Sequence, residues 1–141
     1  MIAYFKVIPM NDELKQHLKK YHFDKQYQTL IKKLKNKSIV IYGAGLLFQE
    51  IQANYDLSKL NIIGISDKKF GINEENQTYL GYKIIPKNNI FEQNPDYILV
   101  ATLKYIDLVN EFTHHNENVS TKVKPLAKQS LIKDLISVLL K

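Results

Sequence analysis

Residues 37–67, KSIVIYGAGLLFQEIQANYDLSKLNIIGISD, constrain the fold of this chain more than any other stretch. Ser38 to Tyr42 is a short apolar, β-branched run with little alternation, as expected of a parallel strand covered on both faces. Gly43-Ala44-Gly45 follows at once. Glycine suits a tight turn, and a missing side chain lets backbone amides come close to a phosphate. Beyond the turn, Leu47 or Phe48, Ile51 and Tyr55 recur at helical spacing. The predicted helix therefore opens at the turn, with its unpaired N–H groups and positive dipole end directed there. Leu57 to Asn61 returns the chain, Ile62 to Ile65 forms the next strand, and Asp67 closes it. A βαβ unit that holds a nucleotide phosphate on the turn and a ribose on the acid has this form.

The pattern is G-x-G, not the full G-x-G-x-x-G, because Phe48 stands where the third small residue would fall. That glycine ordinarily lets helix and strand pack closely. Phe48 must hold the helix further off or turn its ring onto another surface. The candidate binding residues are Gly43, Ala44, Gly45 and Leu46 at the turn, with Asp67 and Lys68 at the end of the second strand. Asp67 would repel a ribose 2′-phosphate, which favours an unphosphorylated ribose. Lys68 to Thr78 is a polar surface loop expected near the mouth of the site.

Further along, Tyr79 to Ile85 reads as a strand with a glycine bend closed by Pro86, and Lys87 to Gln93 as a short helix with Ile90 and Phe91 inward. Tyr97 to Ala101 is a buried strand, and ligands of open α/β sheets lie beside the carboxyl ends of such strands. Thr102 and Lys104 join the candidate site on that ground, with Tyr105 beside them. Val119 to Val123 is the expected last strand, and Gln129 to Leu140 a terminal helix. Upstream, Ile2 to Ile8 is a short strand or arm. Leu14, Leu18 and Tyr21, then Tyr27, Leu30, Ile31 and Leu34, keep helical spacing with a break near His22. The predicted fold is α/β: a Rossmann-like three-layer sandwich with a mostly parallel sheet of about five strands over residues 37–141, preceded by an N-terminal lysine-rich helical extension over residues 1–36.

Charge and composition narrow the functions. All 20 basic residues are lysines, and residues 1–37 hold nine of them against Asp12, Glu13 and Asp24, so the basicity belongs to the N-terminal segment. Without arginine, bidentate recognition of phosphate or guanine is missing, and the lysines read as a solvated helix face with no nucleic-acid partner. Cysteine is absent, which removes disulfides, thiolate nucleophiles and cysteine metal sites. The histidines are not spaced for chelation, and no metal site is predicted. H-E-x-x-H, G-x-S-x-G and the P-loop pattern do not occur. No run is long and apolar enough for a membrane span, and no leader is evident, so a soluble cytoplasmic protein is expected.

The runs IVIYGAG, IIGISD, LGYKIIPKNNI and NPDYILVAT together resemble a Rossmann-like domain of bacterial surface-polysaccharide proteins. Similar domains accompany nucleotide-sugar epimerases/dehydratases, sugar-nucleotide acetyltransferases and sugar methyltransferases. The resemblance spans about Lys37 to Lys104 and implies binding of NAD or a UDP-type nucleotide through the Gly43–Leu46 turn and Asp67. It favours a binding protein of carbohydrate biosynthesis without catalysis of its own, working as a homodimer or with a partner carbohydrate enzyme. A small NAD-dependent oxidoreductase or epimerase-like enzyme and a degenerate protein-interaction module are the alternatives. The Tyr-x-x-x-Lys pair of short-chain dehydrogenases occurs at Tyr55 and Lys59, but on the first crossover, where it is not placed for that chemistry.

Overall fold

A computed structural model describes residues 12–20, 22–102, 105–115 and 120–127 of the chain. The expected arm at Ile2 to Ile8, the terminal helix over Gln129 to Leu140, and Lys104 lie outside those residues. Helices α1 (Asp12–Lys20) and α2 (Phe23–Lys33) lead into β1 (Ser38–Tyr42), α3 (Leu46–Asn54) and β2 (Asn61–Ser66). Short strands β3 (Thr78–Tyr79) and β4 (Tyr82–Lys83) follow, then β5 (Tyr97–Val100), α4 (Tyr105–His115) and β6 (Lys122–Pro125). Four strands form a parallel sheet in the order β2-β1-β5-β6, which makes the architecture α/β.

The central strand shows why the sequence lacks polar alternation. Ile39 and Ile41 enter one buried cluster while Val40 and Tyr42 enter another, because successive side chains point to opposite faces. The first cluster takes Leu18 of α1, Phe23 and Tyr27 of α2, and Leu47, Phe48 and Ile51 of α3. The second takes Ile85, Ile90, and Phe112 of α4. Each fully buried aliphatic or aromatic side chain contributes about 1.5–3 kcal/mol of transfer free energy.

The N-terminal helices are therefore part of the main core. His22 stands between them in the left-handed region at φ 57°, which breaks the helical run where the sequence places a break. Phe23 meets Tyr55 edge to face at 4.9 Å, and the Tyr27 hydroxyl donates to the Asp56 carbonyl. The lysines Lys25, Lys32 and Lys33 stay exposed on the outer face of α2.

Among the described residues the sheet holds four strands where about five were expected, and Tyr79 to Ile85 accounts for the difference. Leu80 and Gly81 both take positive φ, 54° and 87°, the geometry of a two-residue hairpin turn. The chain folds back on itself there as β3 and β4, joined to β2 through a bridge between Ile65 and Ile84. The helix expected over Lys87 to Gln93 is two 3-10 turns, Lys87–Asn89 and Phe91–Gln93, with Ile90 fully buried between them. The last strand among the described residues is Lys122–Pro125, shifted toward the C-terminus from the expected Val119 to Val123, of which Val119 lies outside the described residues.

Candidate functional site

From β1 the chain moves outward to β2 on one side and later returns to β5 on the other. The carboxyl ends of β1 and β5 thus send their following segments in opposite directions, the arrangement that opens a crevice in a parallel sheet. At the opposite edge the same two strands are tied together. The Asp96 carboxylate accepts from the Ser38 N–H at 2.9 Å and the Ser38 hydroxyl at 3.2 Å, and these bonds hold its pKa below the ordinary carboxylate value.

Gly43 begins the turn at φ +122°, and a Cβ there would sit 2.6 Å from the Ala101 carbonyl oxygen. Its glycine identity is required by the fold itself, because β5 passes too close for any side chain. Gly45 differs: a Cβ there meets nothing within 4 Å, so the protein's own packing does not require glycine. Gly45 caps α3 without a side-chain bond, and the first turn of α3 carries no acid. The helix dipole at this end is unopposed by its own residues.

Ala44 is the most heavily bonded peptide of the turn. Its N–H donates to Asp67 Oδ2 at 2.6 Å, and the other carboxylate oxygen accepts from the Lys69 N–H at 3.0 Å. Its carbonyl accepts from Lys69 Nζ at 3.1 Å, the Tyr79 hydroxyl at 3.2 Å and Gln49 Nε2 at 3.3 Å. Lys69 Nζ also lies 4.7 Å from the Tyr79 ring centroid, and Phe70 packs on Tyr79 at 5.3 Å. The loop after β2 is thereby anchored on the glycine turn by Asp67, Lys69 and Phe70. Phe48 is fully buried, and its ring meets Tyr82 at 6.0 Å, so the hairpin supplies the surface that a large residue at this position needs.

A cavity of about 540 Å³ opens over the carboxyl ends of the strands. Gly43, Asp67, Lys68 and Thr102 line it, which brings together four of the residues singled out from the sequence. Ala44, Gly45 and Leu46 stand beside it in the turn and the start of α3, and Leu46 is exposed. The opposite wall holds residues that sequence reasoning missed: Tyr42, Lys87, Asp107 and Glu111. Asp107 and Glu111 sit four apart on α4 and share a face, a spacing readable from sequence. Lys87 gave no such signal, since only the fold places the turn after Pro86 beside α4.

Lys87 forms an ion pair with Glu111 and lies 5.6 Å from the Tyr42 ring centroid and 5.8 Å from that of Phe112. Burial pulls the Lys87 ammonium down, but Glu111 and Tyr42 outweigh it and the group ends above its ordinary value. Burial above all pushes the Tyr42 hydroxyl up; Lys87 opposes this, while Asp67 and Glu111 reinforce it. A phenol held protonated in this way donates a hydrogen bond and does not serve as a base at neutral pH. Ser66, paired with Tyr42 across β1 and β2, is fully buried, and its hydroxyl has no partner among the described residues.

A second cavity of about 450 Å³ lies between α2 and the strands β5 and β6, floored by Leu30, Leu34, Tyr97 and Leu99. It is on the flank of the sheet, and none of the sequence-derived candidates lines it. Among the described residues no group of three His, Asp or Glu side chains is placed to hold a metal, and no helix is long and apolar enough to cross a membrane. Comparison with curated proteins gives no match, and comparison with solved structures gives none. A family model described as C2185-like, N-terminal matches residues 35–122, from the turn before β1 to the start of β6. The chain belongs to the C2185-like, N-terminal family.

Proposed function

We propose that this protein is a Rossmann-like, three-layer nucleotide- or nucleotide-sugar-binding protein, serving bacterial surface carbohydrate biosynthesis without catalysis of its own. The observation that carries the reading is the crevice of about 540 Å³ at the diverging ends of β1 and β5, where Gly43, Asp67, Lys68 and Thr102 converge. Ligands of open parallel sheets bind at this place. The open space at Gly45 and the uncapped start of α3 supply backbone donors for a phosphate. The carbohydrate context rests on the sequence runs LGYKIIPKNNI and NPDYILVAT, and NAD and UDP-type nucleotides are both candidates.

Asp67 takes a different part in this reading from that of a free ribose acceptor. Both of its oxygens accept backbone N–H groups, so it shapes the turn that the phosphate meets. The raised pKa of Tyr42 keeps its phenol protonated, a hydrogen-bond donor to a ligand and not a base. Exposed Leu46, Ile72 and Leu80 support the second reading, a protein-interaction module.

Thermal stability in the presence of NAD, NADH, NADP, UDP, UDP-sugars, coenzyme A and S-adenosylmethionine tests the proposal. A ligand at about a hundred times its Kd adds about 2.7 kcal/mol of stability. A shift with one nucleotide class, lost in Gly45→Val, is the expected result. No shift with any of them leaves the interaction reading.

A further inference from the structure

The Lys87–Glu111 pair is built asymmetrically. The Lys87 ammonium lies against the rings of Tyr42 and Phe112, both buried, so its position is fixed from beneath. Glu111 is the more exposed partner, its side chain 43% accessible against 29% for Lys87. Among the described residues Lys87 is its one ion-pair partner. An exposed pair of this kind is worth about 0–1 kcal/mol, so Glu111 leaves at little cost while Lys87 keeps its two ring contacts.

The charges facing the cavity make that difference matter. Lys68 and Lys87 stand against Asp67, Asp107 and Glu111. Asp67 is committed to two backbone N–H groups and stays where it is. With Glu111 in place the crevice presents more negative than positive charge, and its best-fixed cation is already neutralised.

We propose that Lys87 is the residue that receives the anionic group of the crevice ligand, a phosphate or diphosphate, and that Glu111 is its resident counter-ion, displaced when that group binds. This rests on the nucleotide-binding reading for the identity of the ligand, but the anion site is testable without it. A phosphate oxygen makes a charge-assisted hydrogen bond to the ammonium at least as strong as the one it replaces. Glu111 then acts as a brake that sets the affinity of the crevice for anions.

Calorimetric titration of inorganic pyrophosphate at low ionic strength, into the full chain and two variants, tests this. Glu111→Gln keeps the side-chain shape and removes the competing charge, and is expected to bind pyrophosphate about fivefold more tightly than the parent, the upper end of what releasing an exposed ion pair supplies. Lys87→Met keeps an unbranched apolar stem between the two rings, and is expected to lose at least about ten-fold in affinity. Pyrophosphate binding that is unchanged in Glu111→Gln, or retained in Lys87→Met, overturns the proposal, as does absence of binding in all three proteins. AMP and UDP in the same titrations separate it from the nucleotide reading. If they bind the parent and Lys87→Met equally, the nucleotide reading stands and the role of Lys87 falls. If pyrophosphate follows the expected order while neither nucleotide binds, the anion site stands and the nucleotide reading falls.

Discussion

At the scale of single residues, Asp67 and Gly45 separate what the fold needs from what a ligand would need. The acid at the end of β2 was legible from its spacing alone, yet its bonds to Ala44 and Lys69 were not, because the loop path that brings Lys69 back to the turn has no local signature. A carboxylate that served only a ribose would leave the stability of the free protein unchanged when removed. Here Asp67→Ala strands the buried Ala44 N–H, and we expect a loss of about 2 kcal/mol in chemical denaturation without any ligand. Unchanged stability would return Asp67 to the role of a simple ribose acceptor. Gly43 and Gly45 look alike in sequence, and only the 2.6 Å approach of the Ala101 carbonyl tells them apart. The charged wall of Lys87 and Glu111 was invisible for a similar reason: its members are joined by tertiary packing across the crevice.

Among the elements, β1, α3, β2 and β5 follow their sequence signals closely, since unbroken apolar runs and helical spacing are set by burial on both faces of the sheet. The hairpin departs from the strand expected over Tyr79 to Ile85. Leu80 occupies a left-handed conformation that leucine rarely adopts, so no turn signal preceded Gly81, and an expected sheet strand became β3 and β4. That hairpin in turn explains Phe48. Its ring fills the space between α3 and Tyr82, which makes the missing third glycine of the fingerprint a packing feature. Restoring the fingerprint by Phe48→Gly should therefore destabilise the protein by about 4 kcal/mol, combining a lost buried aromatic with a glycine inside a helix. A neutral or stabilising Phe48→Gly, measured in urea, would contradict this account of α3.

Taken as a whole, the molecule is an α/β structure whose N-terminal helices share the core of its sheet, and Tyr27 reports on that union. Burial first, then Asp56 and Tyr82, push its hydroxyl from the ordinary 10.0 up to about 12. The folded form holds this proton more tightly than the unfolded chain does. Its contribution to stability is therefore intact below about pH 10 and is lost as the pH rises toward about 12. Tyr27→Phe should flatten that part of the alkaline limb, read from denaturation midpoints against pH, while lysine and the remaining tyrosine titrations persist. An unchanged limb would mean that α2 is not docked through this hydroxyl.

A nucleotide received in the crevice between the ends of β1 and β5, as proposed, is best tested by a map of where binding occurs. Amide chemical shifts of the labelled protein, titrated with whichever nucleotide stabilises it, provide that map. The expected perturbations are concentrated at Gly43, Gly45, Lys68 and Thr102, on both sides of the diverging strands. Perturbations centred instead on Leu30, Leu34 and Tyr97, or none at saturating ligand, would contradict the proposal.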